Sequence, residues 1–441
     1  MRISVTGTGY VGLIYAVGLA DKGHDVVCVD IDEDKVRRIN SGQSPIHEDG
    51  LDAVLTAHIG SALHATTDLV SAVMDSEVTI IAVGTPFDGQ RIDLSYIEGV
   101  ASEIGSVLAD KDEYHVVMVK STVVPGTTDD VVLPLLETAS GKRAGQDFGV
   151  GMNPEFLREG VAVADFMNPD RIVLGGIDDK THGVMQQMYA AFSDVDIVLT
   201  SNKTAELIKY TANSLLATMI SFSNEIANLC TAVGDVDVVD VMRGVHLDKR
   251  LTPLKNGTRE WPGFGGSCFP KDVKALIAHG DSLGQSMDLL KSVIRINDTQ
   301  PLRVIDLLLN HFDALDGLRV AVLGLAFKPA TDDMRESPAI TIIEGLLERG
   351  ADVSAFDPVA RHESEKLFGT DVIHYGNSVA ETIAGVDAIL VLTRWDLFLE
   401  LPELLKSSAT QPLVVDARRM LNKDSTERYD GIGYPSVAGG K

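Results

Sequence analysis

The sequence predicts an α/β fold: two Rossmann-like, doubly wound domains joined by a long central helix and a helical dimerisation region. Three observations carry that expectation. A strand, a glycine turn and an apolar helix open the chain at residues 3–20, and a strand and turn of the same kind recur at 318–328. Between them, residues 203–233 hold apolar side chains at helical spacing with no internal glycine or proline. The expected division is 1–200, 201–300 and 301–441.

Ile3-Ser4-Val5-Thr6 runs into Gly7-Thr8-Gly9-Tyr10-Val11-Gly12, and a second strand, 25–29, ends on Asp30. A G-x-G-x-x-G motif alone is a weak signal. Set between a strand and a helix, with an acid 18 residues past its last glycine (Gly12 to Asp30), it reads as a dinucleotide-binding fingerprint. Gly7 would make the tight turn, Gly9 would admit a pyrophosphate and Gly12 would let helix and strand pack closely. The helix N-terminus supplies the anion site. Asp30 would accept hydrogen bonds from the adenosine ribose and repel a 2′-phosphate, which favours NAD over NADP.

Further strands are expected at 78–83, 115–120, 149–152 and 171–174, alternating with helices in a mostly parallel sheet. Ligands bind beyond the carboxyl ends of such strands. Those ends carry Gly84-Thr85-Pro86, Lys120-Ser121-Thr122 and Asn153-Pro154-Glu155. Asn153 reads as an N-cap with Pro154 at the first helical position, placing Glu155 and Glu159 one turn apart on one face. Spacing alone suits a solvated face as well as a site.

In the helix 203–233, apolar residues recur at Leu207, Leu215, Met219, Phe222, Ile226, Leu229 and Val233. It is long enough to tie two sheets together and pack against a partner subunit. Lys209 and Asn213 share one of its faces. An irregular stretch, 243–262, follows and holds Lys249, Arg250, Lys255 and Arg259, four basic residues suited to phosphate groups. Then comes Gly263-Phe264-Gly265-Gly266-Ser267-Cys268-Phe269-Pro270-Lys271-Asp272. By itself this is either a small buried thiol in a glycine turn or a nucleophile flanked by a lysine and a carboxylate. A helical region spans 273–310.

The last unit places strands at 318–323, 352–356, 388–393 and 413–416, with a helix at 339–349. It lacks the second and third glycines of the fingerprint, so its ligand should differ from NAD. Lys328, Arg335, Arg418 and Arg419 suggest that this ligand is phosphorylated.

Bulk composition narrows the function classes. The chain has 441 residues, 45% of them hydrophobic and 23% charged, as in a globular protein of several domains. Its 38 basic and 64 acidic residues give a formal charge of −26, which argues against nucleic-acid and anionic-membrane partners. Cys28, Cys230 and Cys268 are too few for a disulfide framework, so a reducing, cytoplasmic setting is expected. No apolar run approaches the ~18 residues of a membrane span. The first strand begins at once, which implies no signal peptide.

These residues resemble the nucleotide-sugar dehydrogenase family, in its UDP-glucose branch, from residue 1 to about 421. The most specific marks are 7–12, Lys120-Ser121-Thr122-Val123, the run from Asn153 to Gly160, Pro169-Asp170-Arg171, Lys209 with Asn213, 263–272, and Phe327-Lys328 with Arg335. The resemblance implies oxidation of a sugar hydroxymethyl group to a carboxylate with two NAD and no free aldehyde. It implies that Cys268 is the nucleophile, that Lys209 and Asn213 stabilise the oxyanion, and that Asp272 helps to remove the hydroxyl proton. Glu155 with Thr122 would serve thioester hydrolysis.

Along NAD the resemblance puts Gly7, Gly9, Tyr10, Val11, Gly12, Asp30, Lys35, Thr85, Pro86, Ser121, Thr122, Glu159, Lys271 and Arg335. Along the sugar nucleotide it puts Glu155, Phe156, Leu157, Arg158, Glu159, Lys209, Asn213, Phe264, Gly265, Cys268, Phe327, Lys328 and Arg418. Arg250 would reach the substrate of the neighbouring subunit, making a homodimer part of the site. No metal is implied. The alternatives are GDP-mannose as substrate, a non-catalytic nucleotide-sugar binder, and, least favoured, a simple 2-hydroxy-acid dehydrogenase, which would need neither a thiol nor a second nucleotide domain.

Overall fold

The computed structural model describes residues 1–88, 90–248, 262–406 and 411–434. The chain divides into two compact units, Met1–Ala212 and Asn213–Lys441.

The first unit is an eight-stranded sheet. Its strands are β1 (Arg2–Thr6), β2 (Asp25–Val29), β3 (Leu63–Thr66), β4 (Val78–Ile81), β5 (His115–Val119), β6 (Phe148–Met152), β7 (Ile172–Gly176) and β8 (Ile197–Thr200). They lie in the order β3-β2-β1-β4-β5-β6-β7-β8, parallel except where β6 meets β7. Order 3-2-1-4-5-6 is the doubly wound arrangement, in which the reversal between β1 and β4 opens a crevice at the strand carboxyl ends. Both faces are covered. Val116 and Met118 of β5 pack into one core with Ile3, Val5 and the helix Tyr10–Asp21, while Val117 and Val119 pack into another with Ile97, Ile104 and Leu136. Burial on both faces explains why these strands read as continuous apolar runs rather than alternating ones.

The second unit repeats the design with six parallel strands: β9 (Arg319–Leu323), β10 (Asp352–Phe356), β11 (His374–Tyr375), β12 (Ala388–Val391), β13 (Leu413–Asp416) and β14 (Tyr429–Asp430). Their order is β11-β10-β9-β12-β13-β14, the same winding as in the first sheet. Val320 and Val322 face one core and Ala321 and Leu323 the other. The short strands β3, β8, β11 and β14 carry little pattern of their own and are recruited by their neighbours.

Three expectations need correction. No helix starts at Asn153: residues 153–158 are irregular and the next helix is Ala162–Met167. The Asn153 side chain is instead consumed in the interior, accepting from Lys120 Nζ at 2.7 Å and donating to the Val173 carbonyl at 2.7 Å. The stretch expected to be irregular from 243 begins inside a helix, Val238–His246. Lys249, Arg250, Lys255 and Arg259 lie outside the described residues. The helical region after Cys268 is three helices, Phe269–Ser282, Asp288–Thr299 and Leu302–Leu309, broken near Gly284 and Pro301. The first of them starts at Phe269, which leaves Cys268 as its N-cap residue. The long helix, Asn202–Val233, spans roughly 48 Å at 1.5 Å per residue.

Candidate active site

In the first unit Gly7 and Gly12 pack as tightly as the spacing predicts. A Cβ on Gly7 would stand 2.7 Å from the Ala82 carbonyl oxygen, and one on Gly12 would stand 1.8 Å from that of Gly7. Neither position admits a side chain, so β1, β4 and the helix close up as tightly as the crevice requires. At Gly9, the N-cap of Tyr10–Asp21, nothing lies within 4 Å of such a Cβ. That open space over a helix N-terminus fits a pyrophosphate.

Asp30 sits at the end of β2. It accepts from the Thr8 N–H at 2.9 Å, the Thr8 hydroxyl at 2.6 Å and the Asp32 N–H at 3.0 Å, with Lys35 Nζ at 3.5 Å. Burial opposes its charge. The Thr8 hydroxyl, the two backbone donors and Lys35 more than offset that, and they hold the carboxyl below its usual range. The loops after β4 and β5 are joined: Ser121 Oγ donates to the Val83 carbonyl at 2.7 Å, and Thr85 Oγ1 donates to that of Thr122 at 2.8 Å.

Glu155, one strand along, is buried and ion-paired with Lys209 Nζ at 2.7 Å, and it also accepts from the Leu157 N–H at 2.7 Å. Burial raises its pKa, but Lys209 and that N–H win and keep it ionised. Lys209 Nζ also lies 5.5 Å from the centre of the Phe156 ring, whose face is covered by Arg171 at 3.9 Å. Arg158 points elsewhere, making a bidentate pair with Asp165. Glu159 lies in the turn that follows.

Sequence spacing marks Lys120 only as part of a strand end and gives no signal for Tyr189, Glu48 and Glu206, which are buried with it at this end of the sheet. Lys120 is fully buried, with its Nζ 3.5 Å from the Tyr15 ring centre, and burial drives its amine well below the usual lysine range. The Tyr189 hydroxyl donates to the same Asn153 oxygen as Lys120. Glu48 accepts from the Gly160 and Ala162 N–H groups and from the Tyr10 hydroxyl, tying the turn at Glu159 to the start of the first helix. Glu206, one turn before Lys209 on the long helix, accepts from Gly126 and Thr128 and so anchors the loop that carries Thr122. Buried polar groups need partners, but their identity depends on contacts far apart in the chain.

In the second unit Cys268 stands at the N-terminus of Phe269–Ser282, where the helix dipole favours an anion. Its Sγ is 3.7 Å from Ser267 Oγ, and none of the three cysteines is in a disulfide. One turn on, Asp272 is buried and accepts from Asn213 Nδ2 at 2.7 Å, with Lys271 Nζ at 2.8 Å. The glycines before Cys268 are filled by the protein's own chain. A Cβ on Gly265 would meet the Glu336 carbonyl at 2.3 Å, and one on Gly266, whose φ is +81°, would meet the Phe327 ring at 2.7 Å. Phe264 is pinned by reciprocal hydrogen bonds with Asn297.

Phe327 therefore packs on the cysteine turn, with Lys328 Nζ 5.3 Å from its ring centre. Arg418 is buried and spends its donors on the Leu392 and Phe327 carbonyls, at 2.6 and 3.1 Å. Burial lowers its pKa to about 10. Arg335 forks onto Asp333. Ala330 and Glu336, with φ of +62° and +49°, bracket this loop in the strained left-handed region. Arg250 lies outside the described residues.

Three family models match this chain, all of the UDP-glucose/GDP-mannose dehydrogenase family. Its NAD binding domain matches residues 1–193, its central domain 203–299 and its UDP binding domain 321–423. The chain belongs to that family. A UDP-glucose 6-dehydrogenase of Haloferax volcanii is 44% identical over 99% of this chain and 100% of its own. A GDP-mannose 6-dehydrogenase of Pseudomonas aeruginosa is 39% identical over 98% of this chain and 100% of its own. Among solved structures, a UDP-glucose dehydrogenase from Pyrobaculum islandicum is 38% identical, with a TM-score of 0.90 over 98% of this chain and 97% of that one.

In this family member the glycine turn, Asp30 and the linked loops lie within the stretch matched as the NAD binding domain, and NAD is the cofactor. The Cys268 turn and Asn213 lie within the central domain's match, and Phe327, Lys328, Arg335 and Arg418 within that of the UDP binding domain.

Proposed function

We propose that this protein is a nucleotide-sugar 6-dehydrogenase that oxidises UDP-glucose to UDP-glucuronate. The observation that carries the reading is Cys268 at a helix N-terminus, one turn from a buried Asp272 held by Asn213 and Lys271. A thiol in that setting is suited to covalent catalysis, and the carboxylate to moving a proton. NAD supplies the hydride acceptor, once for each oxidation.

The chain's own residues then divide the work. Asp272 takes the proton of the sugar hydroxymethyl group, directly or through water, as the first hydride departs. The Cys268 thiolate adds to the carbonyl carbon of the bound aldehyde. Lys209 and Asn213 stabilise the oxyanion that forms there. Loss of a second hydride converts the adduct to a thioester, and Glu155, with Thr122, orients the water that hydrolyses it and regenerates the thiol. Per sugar, two NAD and one water are consumed, and two NADH, two protons and one carboxylic acid result. Covalent capture explains why no aldehyde need escape between the steps.

The relatives named as UDP-glucose 6-dehydrogenases and the UDP binding domain match support the choice of sugar nucleotide. GDP-mannose 6-dehydrogenases reach 45% identity over 81% of the chain, so GDP-mannose belongs in the test. A panel of sugar nucleotides read by NADH absorbance should give its highest kcat/KM with UDP-glucose. Limiting UDP-glucose should yield two NADH per sugar, and a ratio of one would sink the covalent scheme. Cys268→Ser should abolish turnover while NAD binding persists; undiminished glucuronate formation would remove Cys268 from its role. We further propose a homodimer, in which Arg250 reaches the partner's substrate.

A further inference from the structure

Asp30 does not stand alone at the end of β2. Its Oδ2 is held by two donors from the glycine turn, the Thr8 hydroxyl at 2.6 Å and the Thr8 backbone N–H at 2.9 Å, with the Lys35 ammonium 3.5 Å away. Its Oδ1 accepts from the Asp32 N–H at 3.0 Å. A carboxylate offers about four lone-pair directions. The two Thr8 donors saturate Oδ2, and one direction on Oδ1 is left for a ligand. Thr8 itself is fully buried, at a position where the glycine motif leaves the residue type open.

We propose that Thr8 is a positioning residue that sets the preference for NAD over NADP, by locking the Asp30 carboxylate in the rotation that accepts a ribose hydroxyl and opposes a 2′-phosphate. The terminal torsion of an aspartate is broad and two-fold; the Asp32 N–H holds one oxygen of Asp30 and the Thr8 N–H the other. The Thr8 hydroxyl, the shortest of the three contacts, is the tether that narrows the remaining freedom. Lys35 makes the lock act on both sides of the discrimination. Its ammonium is drawn to the same Oδ2, so a fixed Asp30 keeps a neighbouring cation engaged. A released Asp30 would free that cation, and a cation beside the ribose accommodates a 2′-phosphate.

The inference rests on NAD binding alone and not on the sugar, so it is tested without any sugar nucleotide. NADH and NADPH are titrated by their own fluorescence against the wild-type protein, Thr8→Val and Thr8→Ser. Valine keeps the branched shape and the backbone N–H and removes only the hydroxyl. Loss of one hydrogen bond to a charged group should raise the Kd for NADH about tenfold. The Kd for NADPH should stay level or fall, so the ratio of the two contracts by about tenfold or more. Thr8→Ser should restore the wild-type ratio. A Thr8→Val protein with an unchanged ratio overturns the proposal, because a purely structural threonine would weaken both coenzymes alike. If Thr8→Val fails to fold by circular dichroism, Thr8→Ala removes the same hydroxyl and carries the same two outcomes.

Discussion

Two buried residues show how much a partner decides. Lys209 and Glu155 form an ion pair at 2.7 Å, with both side chains nearly sealed from water. Breaking such a pair from one side strands a buried charge, at a cost of about 3–5 kcal/mol. Lys209→Ala should lose stability of that order in urea denaturation, and the double variant with Glu155→Gln should recover most of it. Additive losses would show that the pair is not coupled. His115 is the second case. Its Nδ1 donates to the Ser76 carbonyl at 3.1 Å and its Nε2 accepts from the Thr79 hydroxyl at 2.8 Å, which is the neutral form. Burial, then the nearby Lys111, lowers its pKa from 6.5 to about 3. The unfolded chain therefore binds a proton near pH 6.5 that the folded chain refuses until about pH 3, and stability falls as pH drops through that window. Thermal melts from pH 7 to pH 4 should show the decline, and His115→Gln should flatten it. An identical slope in the variant would clear His115 of the effect.

At the scale of elements, the long helix Asn202–Val233 leaves Leu215, Phe222, Leu229 and Val233 exposed. The first three recur every seven residues, which keeps them on one side of a helix. An exposed apolar stripe is suited to contact with another chain, and it supports the proposed second copy of this chain as the occupant. Phe222→Glu combined with Leu229→Glu should yield a monomer in light-scattering chromatography. A wild-type protein already monomeric at micromolar concentration would end the dimer proposal. The cysteine turn makes a different point about elements. Its glycines suggest room for a ligand, yet Gly265 and Gly266 are needed because Glu336 and Phe327 occupy the space beside them. The turn is shaped by the last domain's loop, so Cys268 is placed by contacts at long sequence separation.

For the molecule as a whole, the dominant physical fact is charge. A net −26 over 441 residues repels itself, and dissolved salt screens that repulsion within a Debye length of about 3 Å at 1 M against 10 Å at 0.1 M. The melting temperature should rise when potassium chloride is raised from about 0.1 M to 1 M. A fall would mean that local ion pairs, such as Arg419 with Asp237 at 2.9 Å, outweigh the global repulsion. Among the described residues no helix is long and apolar enough to cross a membrane.

The sequence by itself determined the two doubly wound sheets, the glycine turn with Asp30, the long helix and the cysteine segment. Each of these is written locally, in a hydrophobic period or a motif a few residues long. Tertiary structure alone decided the rest. Asn153-Pro154 has the local chemistry of a helix start, but the Asn153 amide is taken by Lys120, Tyr189 and Val173 from other strands and helices, and the helix does not form there. Glu48 and Glu206 look like ordinary charged residues until the fold buries them and supplies their partners. Whether a carboxylate faces solvent or orders a site depends on desolvation and on donors distant in sequence, and no local pattern records either.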